Sequence, residues 1–244
     1  RRSRRNPRLN PSIGLRHHSS QRNTEERKEK QLALLSIQKQ DKRTCNSDTP
    51  LKEGFKLTCS TGCLNPKIYG VNLDSIVQTM AQVETDSIEV MIFRAWMENL
   101  GHVADCFRGL RKSIVSVHGV KAVGTMIGSA EDTERESGLR ILRKNIGFAH
   151  SLGAKNLTIH AWDPLEAKLN LNKNVKALEQ VLDYASRKSV TLSLEIVPSA
   201  SQEPHRIAEF LHETLDSRFR FTVDLEFAAQ YDSVEKLLSF TQRV

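Results

Sequence analysis

The sequence predicts an α/β fold: about six of the eight βα units of a (β/α)8 TIM-type barrel over residues 55–244, preceded by a disordered basic tail over residues 1–54. Three observations lead there. Short runs rich in β-branched residues alternate with longer runs of helical period, the pattern of parallel strands joined by crossover helices. The basic charge is confined to one end. Residues 1–50 carry 13 Lys/Arg against 5 Asp/Glu, a net +8, which leaves the rest of the 244-residue chain at −1. Finally, four of the strands close on an ionisable side chain where a buried strand should be apolar.

The tail opens with Arg1, Arg2, Arg4, Arg5 and Arg8, and no Asp or Glu precedes Glu25. Such a stretch buries too little apolar surface to offset its ordering entropy. Only Leu32–Ile37 reads as a short helix. An Arg-rich, Ser-containing, acid-free start also fits an organellar transit peptide, which would direct the protein to a mitochondrion or plastid instead of the cytoplasm. The sequence has no run of about 18 apolar residues, so no membrane span is expected. Cys45, Cys59, Cys63 and Cys106 are too few for a disulfide framework. They lack the spacing of a structural zinc site as well, and are expected as reduced thiols, in keeping with a cytoplasmic protein.

Strands are expected at 55–60, 87–93, 113–118, 156–161, 190–197 and 220–225. Helices are expected between them at 72–83, 98–111, 131–152, 172–188, 203–216 and 232–243. The helix from Glu131 is the clearest. Leu139, Leu142, Ile146 and Ala149 recur at three- and four-residue spacing, and Gly153 follows as a stop. An open Rossmann sheet is the rival arrangement, but CSTGCLNP after the first strand lacks the GxGxxG fingerprint.

Barrel strands are covered outside and packed inside, so a charge within one is costly unless it is paired or bound to a cation. VSVH ends on His118 and LTIH on His160, while LSLEI carries Glu195 and FTVDL carries Asp224. Within the fifth strand Thr191, Ser193 and Glu195 share one face and Leu192, Leu194 and Ile196 the other. The apolar set suits the helix-covered exterior, so the polar set points inward. Two imidazoles and two carboxylates at the C-terminal strand ends, where barrel active sites are built, make a ligand set for a divalent ion such as Mn, Zn, Co or Mg. Taken singly, a strand-end histidine is more often a satisfied cap, and Asp224 alone could be an N-cap. Glu89 holds the equivalent interior position in the second strand. There it would either hydrogen-bond a ligand or a substrate hydroxyl, or serve the barrel structurally. Trp162 and Asp163 could line a pocket.

These segments (IEVM, SVHG, LTIHAWD, LSLEIVP and FTVDLEFA) resemble the xylose-isomerase-like TIM barrels. That group includes sugar and sugar-phosphate isomerases and epimerases, myo-inositol catabolism enzymes and endonuclease IV. The resemblance implies metal ligation by Glu195 and Asp224, with Glu195 also a candidate catalytic base. It implies substrate contact for His118, His160 and Glu89, or zinc ligation by the two histidines in the nuclease branch. The activity it implies is a metal-dependent isomerase or epimerase that moves a proton through an enediolate of a small sugar or sugar phosphate. Two departures stand out. Phe227 occupies the histidine position of the Asp-x-x-His seen after strand six in many members. The seventh and eighth units, which carry a further metal ligand and a catalytic carboxylate, are not expected before Val244. Two alternatives follow: an abasic-site nuclease, disfavoured by the neutral globular part, and a non-catalytic truncated barrel acting as a binding module. A homo-oligomer is compatible with either.

Overall fold

The computed structural model describes residues 57–64, 71–162, 170–199 and 202–240. The expected basic tail, its Leu32–Ile37 helix, the start of the first strand and Asp163 lie outside those residues.

Six strands form one sheet in sequential order: β1 (Cys59–Ser60), β2 (Ser87–Met91), β3 (Ser113–His118), β4 (Asn156–Ile159), β5 (Thr191–Ile196) and β6 (Arg220–Val223). Every neighbouring pair is parallel. The connections carry helices α1 (Leu73–Gln82), α2 (Leu100–Arg108), α3 (Val123–Gly128), α4 (Asp132–Ser151), α5 (Leu171–Arg187), α6 (Pro204–Thr214), α7 (Leu225–Gln230) and α8 (Val234–Leu238). The expected alternation of strand and helix is therefore present, with each strand beside the next.

Boundaries depart from expectation in instructive ways. β4 ends at Ile159 and β6 at Val223, so His160 and Asp224 each lie one residue beyond a strand. The helix expected at 232–243 is α8, over Val234–Leu238, and α7 precedes it in a stretch read as loop. α3 was also unexpected, because VGTMIG pairs two glycines with β-branched residues, a poor helix-forming composition. Packing overrides that preference: Val123, Gly124 and Ile127 are buried.

The core lies between the sheet's outer face and the helices. Leu192, Leu194 and Ile196 of β5 have no exposed surface, and Leu139, Leu142, Ile146 and Ala149 of α4 are buried against that layer. α4 ends as its sequence requires, with Gly153 at φ 73° in the left-handed region that favours glycine. The inner face is polar. Glu89, Ser116, Thr158, Ser193, Arg220 and Thr222 line a cavity of about 670 Å³ below the strand ends. No helix among the described residues is long and apolar enough to cross a membrane.

Candidate active site

Parallel register fixes which side chains can meet. Met91, His118, Thr158 and Ser193 stand at one level across β2 to β5, whereas Glu195 is level with Thr222. His160, two residues past Thr158, is thus one inward step above His118 and at the height of Glu195. Asp224 is one further step up, past Thr222. The four strand-end groups are staggered and do not share one level, the stagger that a barrel's shear imposes.

Three of them converge. His118 Nε2 lies 2.9 Å from Glu195 Oε2, and His160 Nε2 lies 2.7 Å from the same oxygen. One ligand atom from each of the three residues falls within 4.8 Å of the others. Both histidines are buried, and their rings stand 5.1 Å apart between centroids. Asp224 is outside this group. It is the N-cap of α7, its Oδ1 accepting from the amide of Phe227 at 3.0 Å. A capping aspartate satisfies one of a helix's unpaired amides and sets where the helix starts. Glu89 is also elsewhere, in the lower interior, where it accepts from Ser60 Oγ at Oε1 and from Ser116 Oγ at Oε2, both at 2.8 Å. Trp162 is fully buried and donates from Nε1 to the carbonyl of Val197, so it braces the ends of β4 and β5.

Electrostatics favour a cation here. Burial pushes the Glu195 carboxyl up, but the hydrogen bond with His118 and the closeness of His160 outweigh it and hold the group well below the usual carboxylate range. His118 Nδ1 lies 2.9 Å from the carbonyl of Gly119. A carbonyl only accepts, so Nδ1 carries a proton. A neutral His118 then turns the lone pair of Nε2 toward Glu195, an arrangement that needs a proton or a metal ion between them. His160 Nε2 is buried and makes no hydrogen bond despite its nearness to Oε2. An imidazole fixed through its other nitrogen and an orphaned ring nitrogen beside one carboxylate oxygen fit a divalent metal.

The sequence reading missed the parts that hold these donors. Gly124 lets α3 approach the end of β4: an added Cβ would stand 2.5 Å from the His160 carbonyl oxygen and 2.4 Å from the Trp162 nitrogen. Asn174 on α5 donates from Nδ2 to the carbonyls of Gly124 and Ala161, tying α3 to the same turn. Asn145 on α4 is fully buried with neither amide atom hydrogen-bonded, and its side chain packs beside Gly119. An asparagine within an otherwise apolar helical stripe (Leu142, Ile146, Ala149) was the available signal for Asn145.

No family model matches the chain. Over 74 residues it is 34% identical to the L-ribulose-5-phosphate 3-epimerase UlaE of Salmonella paratyphi B, a stretch of 29% of this chain and only 26% of that enzyme's length. The structure superposes on D-allulose 3-epimerase from Methylomonas sp. with a TM-score of 0.62 at 16% identity, covering 78% of this chain and 70% of that one. It superposes on an L-ribulose 3-epimerase with a TM-score of 0.59 at 19% identity, covering 73% and 63%. For the 3-keto-D-glucoside 4-epimerase YcjR from E. coli the TM-score is 0.57 at 15% identity, covering 75% and 74%. At such identities the likeness is one of fold. The described residues form six successive parallel βα units that share the fold of those epimerase structures.

Proposed function

We propose that this chain is a metal-dependent epimerase or isomerase of a small sugar or sugar phosphate, with Glu195 at its centre. The observation that carries the reading is the meeting of His118 and His160 on one oxygen of Glu195 at the C-terminal strand ends. The metal would be Mn²⁺, Co²⁺, Zn²⁺ or Mg²⁺, held by Glu195 and, following the resemblance, by Asp224, with His118 and His160 close enough to ligate or to contact substrate. When bound, the ion polarises the substrate's carbonyl and adjacent hydroxyl as a Lewis acid.

The protein's own groups supply the remaining steps. Glu195 accepts the proton from the carbon beside the carbonyl. Its ionised state at neutral pH, enforced by the two imidazoles, suits ligation. Its strength as a base rises if substrate binding draws those imidazoles away, because a general base works best with a pKa near the working pH. Glu89, already accepting one bond on each oxygen from two serines, keeps further lone pairs with which to accept from a substrate hydroxyl.

Incubating the full chain with ketopentoses, ketohexoses and their phosphates in D₂O, with each metal in turn, tests the proposal. Deuterium entering the carbon beside the carbonyl is the expected signal, and Glu195→Gln should reduce it at least a thousandfold. No exchange from folded, metal-supplemented protein would refute it. Zinc-dependent cleavage of an abasic duplex would instead favour the nuclease reading, for which the paired imidazoles are the supporting observation.

A further inference from the structure

A second reactive cluster lies at the rim of the barrel, on the turn that follows β1. Cys59 opens the two-residue strand β1 and Cys63 closes the single helical turn Thr61–Cys63, which brings their sulfurs to 3.8 Å. Cys63 is exposed and Cys59 half-buried, so one thiol meets solvent and the other stands behind it. We propose that this pair is a redox-active dithiol that closes reversibly to an intramolecular disulfide by exchange with a low-molecular-weight disulfide such as oxidised glutathione.

The chemistry balances in two exchanges. The Cys63 thiolate attacks one sulfur of the small disulfide, forming a mixed disulfide and expelling one small thiolate. The Cys59 thiolate then attacks the Cys63 sulfur, forming the Cys59–Cys63 bond and expelling the second. The two protons lost by the cysteines pass to the two leaving thiolates. The protein is oxidised by two electrons and the small disulfide is reduced to two thiols. Closure requires the sulfurs to move from 3.8 Å to about 2.0 Å, a shift that side-chain rotation at a turn can supply. Burial and the adjacent Cys59 push the Cys63 thiol up, so the exchange is slow at neutral pH and is best read at equilibrium.

What lies between the cysteines gives the closure a consequence. Ser60 Oγ donates to Glu89 and also accepts from the amide of Gly62. Thr61 Oγ1, fully buried, accepts from the amide of Met91 at 2.8 Å. Met91 is level with His118 across the β2–β3 pair. Tightening the turn therefore fixes the hydroxyls that hold Glu89, below the site, and Met91, level with His118.

The test uses the chain with Cys45→Ser and Cys106→Ser, equilibrated in glutathione buffers of stepped ratio and quenched with acid. The expected product is a protein lighter by two hydrogen atoms, with the bond mapped to the peptide containing Cys59 and Cys63, restored by dithiothreitol. Exchange of the Met91 amide with solvent should slow at least tenfold in the oxidised form. Adding Cys59→Ser should convert the product into a stable mixed disulfide with glutathione on Cys63, and adding Cys63→Ser should suppress the internal bond. Persistent glutathionylation of Cys63 with Cys59 intact, disulfide-linked dimers, or no reaction at any ratio would overturn the proposal. An unchanged Met91 amide would overturn its link to the site.

Discussion

His118 Nε2 stands 2.9 Å from Glu195 Oε2, although 77 residues separate the two and β4 lies between their strands. A metal ion that replaces the proton at this junction binds the native state alone. It should raise stability by about 2.7 kcal/mol at a hundredfold excess over its dissociation constant. Thermal melts with Mn²⁺, Zn²⁺ and Co²⁺ are expected to show that rise, and Glu195→Ala and His118→Ala to abolish it. A rise that survives Glu195→Ala would exclude the carboxylate as a ligand.

Asp224 has two candidate roles that a pair of substitutions separates. Asp224→Ala removes the cap of α7 and should cost about 1 kcal/mol. Asp224→Asn preserves a capping oxygen but removes the charge. It is expected to leave stability within about 0.5 kcal/mol of the parent while weakening metal affinity at least tenfold. Equal metal affinity in Asp224→Asn and the parent, measured by calorimetric titration, would leave Asp224 as a cap alone.

The depressed Glu195 carboxyl has a pH signature. Its native pKa lies below the unfolded value of about 4.3, so ionised Glu195 stabilises the fold above that pH and the contribution drains away as pH falls below it. Urea unfolding at stepped pH should find the parent more stable than Glu195→Gln at pH 7, with the gap narrowing towards pH 3. A gap that widens with acid would contradict the assignment.

Close approach at Gly124 should be intolerant of a single methyl. The Cβ of Gly124→Ala would meet the backbone of Ala161 and Trp162, which cannot yield as a flexible side-chain end can. Destabilisation of about 3 kcal/mol is expected, an overpacking cost, with metal-induced stabilisation lost as the His160 turn shifts. Chemical denaturation with and without metal reads both.

Asn145 predicts the opposite sign. Both its amide atoms are buried without partners, a condition that costs about 1–3 kcal/mol per group. Asn145→Leu should therefore raise the melting temperature. A fall would mean that a buried water or a bound ligand completes the amide's hydrogen bonds.

The barrel class was legible because its evidence is periodic. The alternation in Thr191–Ile196 alone separates the inner face from the outer, and the stripe of α4 announces its buried side. The gathering of His118, His160 and Glu195 was legible in kind, since ionisable residues that close several successive apolar strands point to one mouth even though each alone reads as a cap. The stagger between strands was not. Register is set by hydrogen bonding across the sheet, and the sequence of β6 carries no mark that Asp224 sits a step beyond Glu195; only its capacity to cap a helix was legible, and it caps α7. Asn174 and Gly124 were also hidden, because their importance comes from a contact between α3, α5 and the end of β4 that appears only once the units are stacked.

The sequential strand order has a kinetic meaning. All three converging donors lie on consecutive units, β3 to β5, with residues from Ser113 to Ile196 sufficient to supply them. Each strand docks beside the one made just before it, so no distant segment has to be captured to bring the donors together, and loop-closure entropy is met in small instalments. During synthesis the chain can therefore bring the three donors together once β5 has cleared the ribosomal exit tunnel, while β6 is still inside it. If the proposed metal site is correct, a nascent chain arrested far enough past Val197 for β5 to have emerged, with β6 still in the tunnel, should already gain protease resistance from added metal.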